Sequence, residues 1–122
     1  MSNELERLIS IVKKLRAPDG CDWDNVQTSK SLTPYLLEEV YEVIEAIETE
    51  DIKLLKEELG DLLFTVICLA RHLKIDPNAI LLSANEKFKT RFQKVTSIMQ
   101  ERGKELVGPE EMEEIWQLAK KN

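Results

Sequence analysis

Five acids stand on two adjacent apolar segments: Glu38-Glu39-x-x-Glu42, then Glu58-x-x-Asp61. They interrupt the two most hydrophobic stretches of the chain, 36–47 and 54–73. Acids are rarely buried unless something pairs with them. So many carboxylates converging on one place need a cation, which makes a metal site the first expectation. Hydrolysis of a phosphate ester or anhydride is the chemistry such a site serves. The ligands are all oxygen, which favours Mg²⁺, with Mn²⁺ able to substitute, over zinc. A redox di-iron bundle would need Glu-x-x-His. The one histidine, His72, lies eleven residues beyond Asp61, about three helical turns away.

Helical geometry separates these acids from a solvated face. Centred on Val40, Glu39 falls roughly 100° to one side and Glu42 roughly 160° to the same side. They are expected one turn apart at the edge of the apolar face, with Ala46 continuing their column. Centred on Leu62, Glu58 lies at roughly −40° and Asp61 at roughly −100°. Glu58 therefore falls inside the apolar arc, where an unpaired carboxylate is costly or takes up a proton. The nearby bases, Lys53 and Lys56, fall on other faces. Gly60, in a helix interior, costs about 1 kcal/mol relative to alanine, and a close approach by another backbone or a ligand would explain it.

A column of cations follows. Lys87, Arg91 and Lys94 stand at i, i+4 and i+7 and border an apolar face centred on Phe88. Arg91 points nearest to that face, at roughly −60°. The column is either a solvated face or a set of cations for phosphate oxygens that a metal leaves uncovered. Asn85 lies on the other edge, suited to an inter-helix hydrogen bond or to a ligand contact. Trp116 and Lys120 stand at i and i+4. Trp116 either stacks on a nucleobase or anchors the tail to the core, and Trp23 carries the same ambiguity.

The elements that must position these residues are helices. Leu5, Leu8, Ile9, Val12 and Leu15 repeat at helical spacing and predict a first helix over 3–16. Ala17-Pro18-Asp19-Gly20 ends it, and a polar loop carrying Trp23 runs to about Ser31. Thr33-Pro34 is an N-cap and first-turn signal for a second helix to about Glu48. A third runs from near Asp51 to about Lys74. A fourth runs from Asp76-Pro77 to about Arg102, with Gly103 as its C-cap residue. Gly108-Pro109 opens a last short helix, whose first-turn acids suit the helix dipole. No segment alternates as a strand. The chain reads as one all-α domain over 1–122, with connections short enough for an antiparallel bundle.

Composition removes several classes of function. Net charge is −6, which argues against broad binding to nucleic acid or to an anionic membrane surface. Cys21 and Cys68 match no zinc spacing, and Cys68 reads as a reduced core residue. The start, Met1-Ser2-Asn3-Glu4-Leu5-Glu6, lacks the apolar core of a signal peptide. Arg71, His72 and Lys74 cut short the best apolar run. A cytoplasmic location is the expectation.

Five motifs in register resemble a known family. Glu38-Glu39-x-x-Glu42, fifteen residues, then Glu58-Leu59-Gly60-Asp61 resembles the EExxE…ExxD signature of the MazG-type nucleoside triphosphate pyrophosphohydrolases. Cys21-Asp22-Trp23-Asp24-x-x-Gln27-Thr28 is similar to that family's CPWDxxQT loop, with Asp22 in place of proline. The segments 36–43 and 58–64 match its core helices, Asn85-Glu86-Lys87-Phe88-x-x-Arg91-Phe92 its downstream helix, and Glu113-Glu114-Ile115-Trp116 its tail. The resemblance implies an all-α bundle completed by self-association, as a homodimer or a dimer of dimers. It implies cleavage of a nucleoside triphosphate between the α and β phosphates. Glu39, Glu42, Glu58 and Asp61 would bind Mg²⁺, and Glu38 would orient or deprotonate the attacking water. Lys87 and Arg91 would hold phosphate oxygens, and Trp116 with Lys120 would meet the rest of the nucleotide.

Tyr35 and Leu36 stand where some relatives carry basic residues, which leaves the base contacts open. Two alternatives stay beside this reading. One is a narrow pyrophosphatase for dUTP, dCTP or phosphoribosyl-ATP. The other is a non-catalytic helical regulator that binds nucleotides.

Overall fold

The computed structural model describes residues 3–121; Met1, Ser2, Asn122 and the side chain of Asp24 lie outside the described residues. Within them the chain is all-α: α1 Glu4–Arg16, α2 Asp22–Val26, α3 Ser29–Thr49, α4 Ile52–His72, α5 Pro77–Glu101 and α6 Pro109–Lys120. Among the described residues no helix is long and apolar enough to cross a membrane. Two compact units share the chain, one running to Pro77 and one from Asn78 onward.

In the first unit α3 and α4 pair as a hairpin, and α1 lies against α4. Ile9 and Val12 pack on Ile67 and Cys68, with Leu5, Leu8 and Phe64 around them. Cys68 is buried and in no disulfide, in keeping with a reduced core thiol. The reversal between α3 and α4 is tightly hydrogen-bonded. Thr49 Oγ1 donates to the Ala46 carbonyl at 2.7 Å and accepts from the Asp51 N–H at 3.2 Å. The Asp51 carboxylate accepts from Lys53 and Leu54 N–H groups at 3.0 and 3.2 Å, capping α4. This turn holds the register in which the acids of α3 meet those of α4.

The start of α3 differs from the expected Thr33-Pro34 signal. The helix begins five residues earlier, and Pro34 lies inside it. Thr28 is the N-cap: its hydroxyl accepts from Ser31 N–H at 3.0 Å, and Ser31 Oγ accepts from Thr28 N–H at 2.8 Å. This reciprocal box satisfies two backbone donors and outweighs the one helical bond that Pro34 removes. The polar stretch before it also contains α2, whose start is folded back on α1. Cys21 N–H donates to the Leu15 carbonyl at 3.1 Å, and Asn25 Nδ2 donates to the Ala17 carbonyl at 2.9 Å.

The faces of α3 also differ from a single apolar arc centred on Val40. The side turned inward carries Leu32, Leu36, Glu39, Val43 and Ala46, all buried or half-buried. A second apolar face, with Leu37, Val40, Tyr41, Ile44 and Ile47, is exposed. Glu39 is thus within the inner stripe rather than at its edge. On α4, Leu59, Leu63 and Val66 are likewise exposed. Among the described residues none makes the close approach expected at Gly60, because a Cβ built there meets nothing within 4 Å.

In the second unit α6 packs on α5 through Val95, Ile115 and Ala119, with Met99 and Trp116 at the margin. Gly103 takes φ +66 and ends α5. Lys104 N–H donates to the Met99 carbonyl and Gly103 N–H to that of Gln100, each at 3.0 Å, a Schellman closure. Arg102 pairs with Glu111 and Glu114 at 3.2 and 2.9 Å, and Lys104 with Glu111 at 2.6 Å. Lys104, then Arg102, hold the Glu111 carboxyl below its ordinary range.

Candidate metal centre

Two helices of the first unit each bring a pair of acids, spaced three residues apart, to one place. Glu39 and Glu42 come from α3, Glu58 and Asp61 from α4. One carboxylate oxygen from each lies within 4.8 Å of the others. Glu39, Glu42 and Glu58 are half-buried, whereas Asp61 is exposed. Glu39 Oε2 and Glu58 Oε2 are buried without a hydrogen-bond partner.

The electrostatics follow from this crowding. A hydrogen bond with Glu42 pushes the Glu58 carboxyl up to about 7, helped by burial and by the charges of Glu42, Asp61 and Glu39. Such a bond between two carboxylates needs a shared proton. Burial raises Glu39 as well, followed by the charges of Glu42 and Asp61. Orphaned oxygens on carboxylates that repel one another are a donor set short of a cation. All-oxygen ligands of this kind fit a hard divalent ion. Glu38 is exposed and stands outside the group of four.

A cavity of about 360 Å³ opens beside Glu39 and Asp61. Its walls include Trp23, Tyr35, Phe64, Thr65, Cys21 and Cys68. Trp23 meets Tyr35 edge-on, with ring centroids 5.4 Å apart. Sequence reasoning left the role of Trp23 open, noted Tyr35 only as standing where some relatives carry basic residues, and gave Phe64 and Thr65 no role in a site. The signal available was the position of Trp23 in the Cys21–Thr28 motif. What placed the other three, the rotation of α3 and α4 against each other, is not written in any local pattern.

The remaining expected site residues lie in the second unit. Lys87, Arg91 and Lys120 line a shallow basin, together with Glu86, Thr90 and Lys94. Trp116 is half-buried at the α5–α6 contact, stacked near Phe88 with centroids 6.4 Å apart. Asn85 is exposed on α5 and does not line that basin.

The chain is similar to known proteins in sequence and in fold. Residues 27–96 match the model of the MazG nucleotide pyrophosphohydrolase domain. The chain is 56% identical over 62 residues to the nucleoside triphosphate pyrophosphohydrolase/pyrophosphatase MazG of Thermotoga maritima, covering 51% of this chain and 24% of that protein. It is 43% identical over 94 residues to the nucleoside triphosphate pyrophosphohydrolase of Escherichia coli K12, covering 73% of this chain and 36% of that protein. It thus spans between about a quarter and about a third of these curated relatives. The crystal structure of a mazG-related protein from Thermotoga maritima superposes with a TM-score of 0.70 at 29% identity, covering 96% of this chain and 99% of that one. The matched stretch carries all four clustered acids on their paired helices, and on that basis the chain belongs to the MazG nucleotide pyrophosphohydrolase domain family.

Proposed function

We propose that the protein is a Mg²⁺-dependent nucleoside triphosphate pyrophosphohydrolase. It adds water across the α–β phosphoanhydride of (d)NTPs and releases a nucleoside monophosphate and pyrophosphate. The observation that carries this reading is the convergence of Glu39, Glu42, Glu58 and Asp61, with two buried oxygens left orphaned. These four residues would hold the ion, with Mn²⁺ as a substitute. When bound, the ion supplies neutralisation of phosphate oxygens and a lower pKa for water.

The chain's own groups have distinct parts. Glu38, outside the cluster but on the same helix, orients the attacking water and takes its proton. The cavity beside Glu39 and Asp61 offers aromatic and apolar walls to the nucleoside, the lining expected of a small-molecule site. Lys87, Arg91 and Lys120 are the cations proposed for phosphate oxygens. Asn85 is proposed as a polar contact to the nucleotide. The exposed apolar faces of α3 and α4 favour a working unit of two copies or a dimer of dimers, since patches of this kind mark interaction surfaces.

The test is pyrophosphate release from a panel of canonical and damaged (d)NTPs, with and without Mg²⁺. Wild type is expected to be active only with the ion. Glu39→Gln removes a direct ligand and is expected to cost more than the about 10–100-fold typical of losing an outer-shell partner. Equal inertness of wild type and Glu39→Gln across the panel would sink the enzyme reading.

A further inference from the structure

Both cysteines of the chain line one cavity, the space of about 360 Å³ beside Glu39 and Asp61. They reach it from different elements. Cys68 stands on α4 seven residues beyond Asp61, with Thr65 between them, so all three share one column of that helix. Helical side chains lean toward the N-terminus, which carries the Cys68 sulfur over the Phe64–Thr65 turn and toward the acids. Cys68 is 5% exposed and packs on Ile9 and Val12 of α1. The cavity is the open side of an otherwise packed thiol.

Cys21 comes from the corner between α1 and α2 and is half-buried. Its N–H donates to the Leu15 carbonyl at 3.1 Å, and its own carbonyl accepts from the Asn25 N–H at 2.9 Å. Gly20 N–H donates to the Ala17 carbonyl at 2.8 Å, and its Cα lies too close to the α1 backbone to carry a Cβ. The backbone on both sides of Cys21 is thus fixed to the end of α1. Leu15 lies about one turn beyond Val12, so one helix holds both thiols in place. Their unequal access sets an order, in which a small oxidant meets Cys21 first.

We propose that Cys21 and Cys68 are a paired oxidation site, joined by a reversible disulfide that closes the cavity. A hydroperoxide is the class of oxidant. The Cys21 thiolate attacks one peroxide oxygen; an S–O bond forms, the O–O bond breaks, and the other oxygen takes a proton and leaves as water or an alcohol. The Cys68 thiolate then attacks the Cys21 sulfur; the S–S bond forms, the S–O bond breaks, and the hydroxide leaves as water. The two thiols together give up two electrons, and the peroxide takes up the same two. A small dithiol reverses the bond by exchange.

The disulfide ties the Cys21–Thr28 segment down onto α4 and takes up the space that Trp23 and Phe64 border. A nucleoside loses its wall there while the four acids stay in place. This regulation rests on the pyrophosphohydrolase reading; the bond itself does not.

The reduced full chain, freed of reductant, is treated with hydrogen peroxide in native buffer and mapped by proteolysis and mass spectrometry. The expected product runs as a single chain on a denaturing gel, with the Cys21 and Cys68 peptides joined and two hydrogens lost. Dithiothreitol should return both thiols. Cys68→Ala should stop Cys21 at a sulfenic acid that dimedone traps, with Cys68→Ser as the second variant where the first fails to fold. Cys21→Ser should leave Cys68 reduced. Amide exchange over 17–28 should slow in oxidised wild type. Hydrolysis of dNTPs, each protein measured against its own reduced sample, should fall reversibly on oxidation of wild type and hold in Cys21→Ser.

Cys68 still reduced when Cys21 is fully oxidised would overturn the proposal. So would a bond between two chains, or one that forms only in denaturant. A joined pair with undiminished hydrolysis would overturn the closing of the cavity. A joined pair with slowed exchange, in a protein that hydrolyses no nucleotide in either state, would support the oxidation site and defeat the pyrophosphohydrolase reading alone.

Discussion

Four carboxylate oxygens within 4.8 Å of one another resist full ionisation unless a cation stands among them. Glu58 shows the strain most, titrating near 7 instead of 4.5 in the metal-free chain. The folded form therefore keeps a proton between these values that the unfolded chain gives up. Stability of the metal-free protein is expected to fall as pH rises from about 4.5 to about 7 and to level off above. Thermal melts in EDTA at several pH values check this, and Glu58→Gln should flatten the slope. A divalent ion held by these acids would displace the proton, so its stabilisation is expected to grow over the same window. A slope unchanged by Glu58→Gln would count against the assignment. These acids were legible because a carboxylate at roughly −40° within an apolar arc has few innocent explanations. Glu39 was less so. Its position was measured from Val40, and Val40 belongs to a different face.

At the level of helices and turns, what was legible is what local chemistry dictates. Gly103 and Gly108-Pro109 end and start helices where backbone freedom and a missing N–H allow it. The start of α3 was not legible from Thr33-Pro34, because the N-cap is Thr28, five residues earlier. Only hydrogen-bond reciprocity at Thr28 and Ser31 decides between them. The end of α4 repeats the Gly103 pattern with a costlier residue. Lys74 has φ +59, its N–H donates to the Arg71 carbonyl, and Ile75 N–H donates to that of Ala70. Lys74→Gly is expected to stabilise by about 0.5–1 kcal/mol, as relief of the left-handed penalty exceeds the added chain entropy. Denaturant melts would register it as a higher midpoint at constant slope. Gly20 is the opposite case. A Cβ there would collide with the Lys14 carbonyl oxygen and come within 2.7 Å of that of Leu15. Gly20→Ala is therefore expected to loosen the Trp23 segment from α1. The readout is faster amide exchange over 17–28, with α5 and α6 unchanged.

At the scale of the whole molecule, α3 and α4 have two working sides. One carries the acids, and the other exposes Tyr41 and Ile47 by 57% each and Leu63 by 55%. Ile44→Glu, placed in that outer face, is expected to yield monomers in sedimentation while leaving the helical signal intact. A monomeric wild type at working concentrations would remove the basis for that expectation. Association was implied in the sequence by resemblance. The outer apolar face proposed for it was not legible, because α3 alternates two apolar faces around Glu39 and a single-arc reading merges them.

That two-sidedness has a thermodynamic consequence. The helices that would present ligands to an ion would also present the contact to a second copy, and each is one 21-residue helix. Whatever straightens or spaces the pair for one purpose is felt in the other. Ion affinity and self-association, if coupled through these helices, would have to be coupled reciprocally. Dilution would weaken the ion's hold, and withdrawal of the ion would loosen the assembly by the same factor. The outer face of α3 would thus act as a concentration sensor for the acids on its inner side.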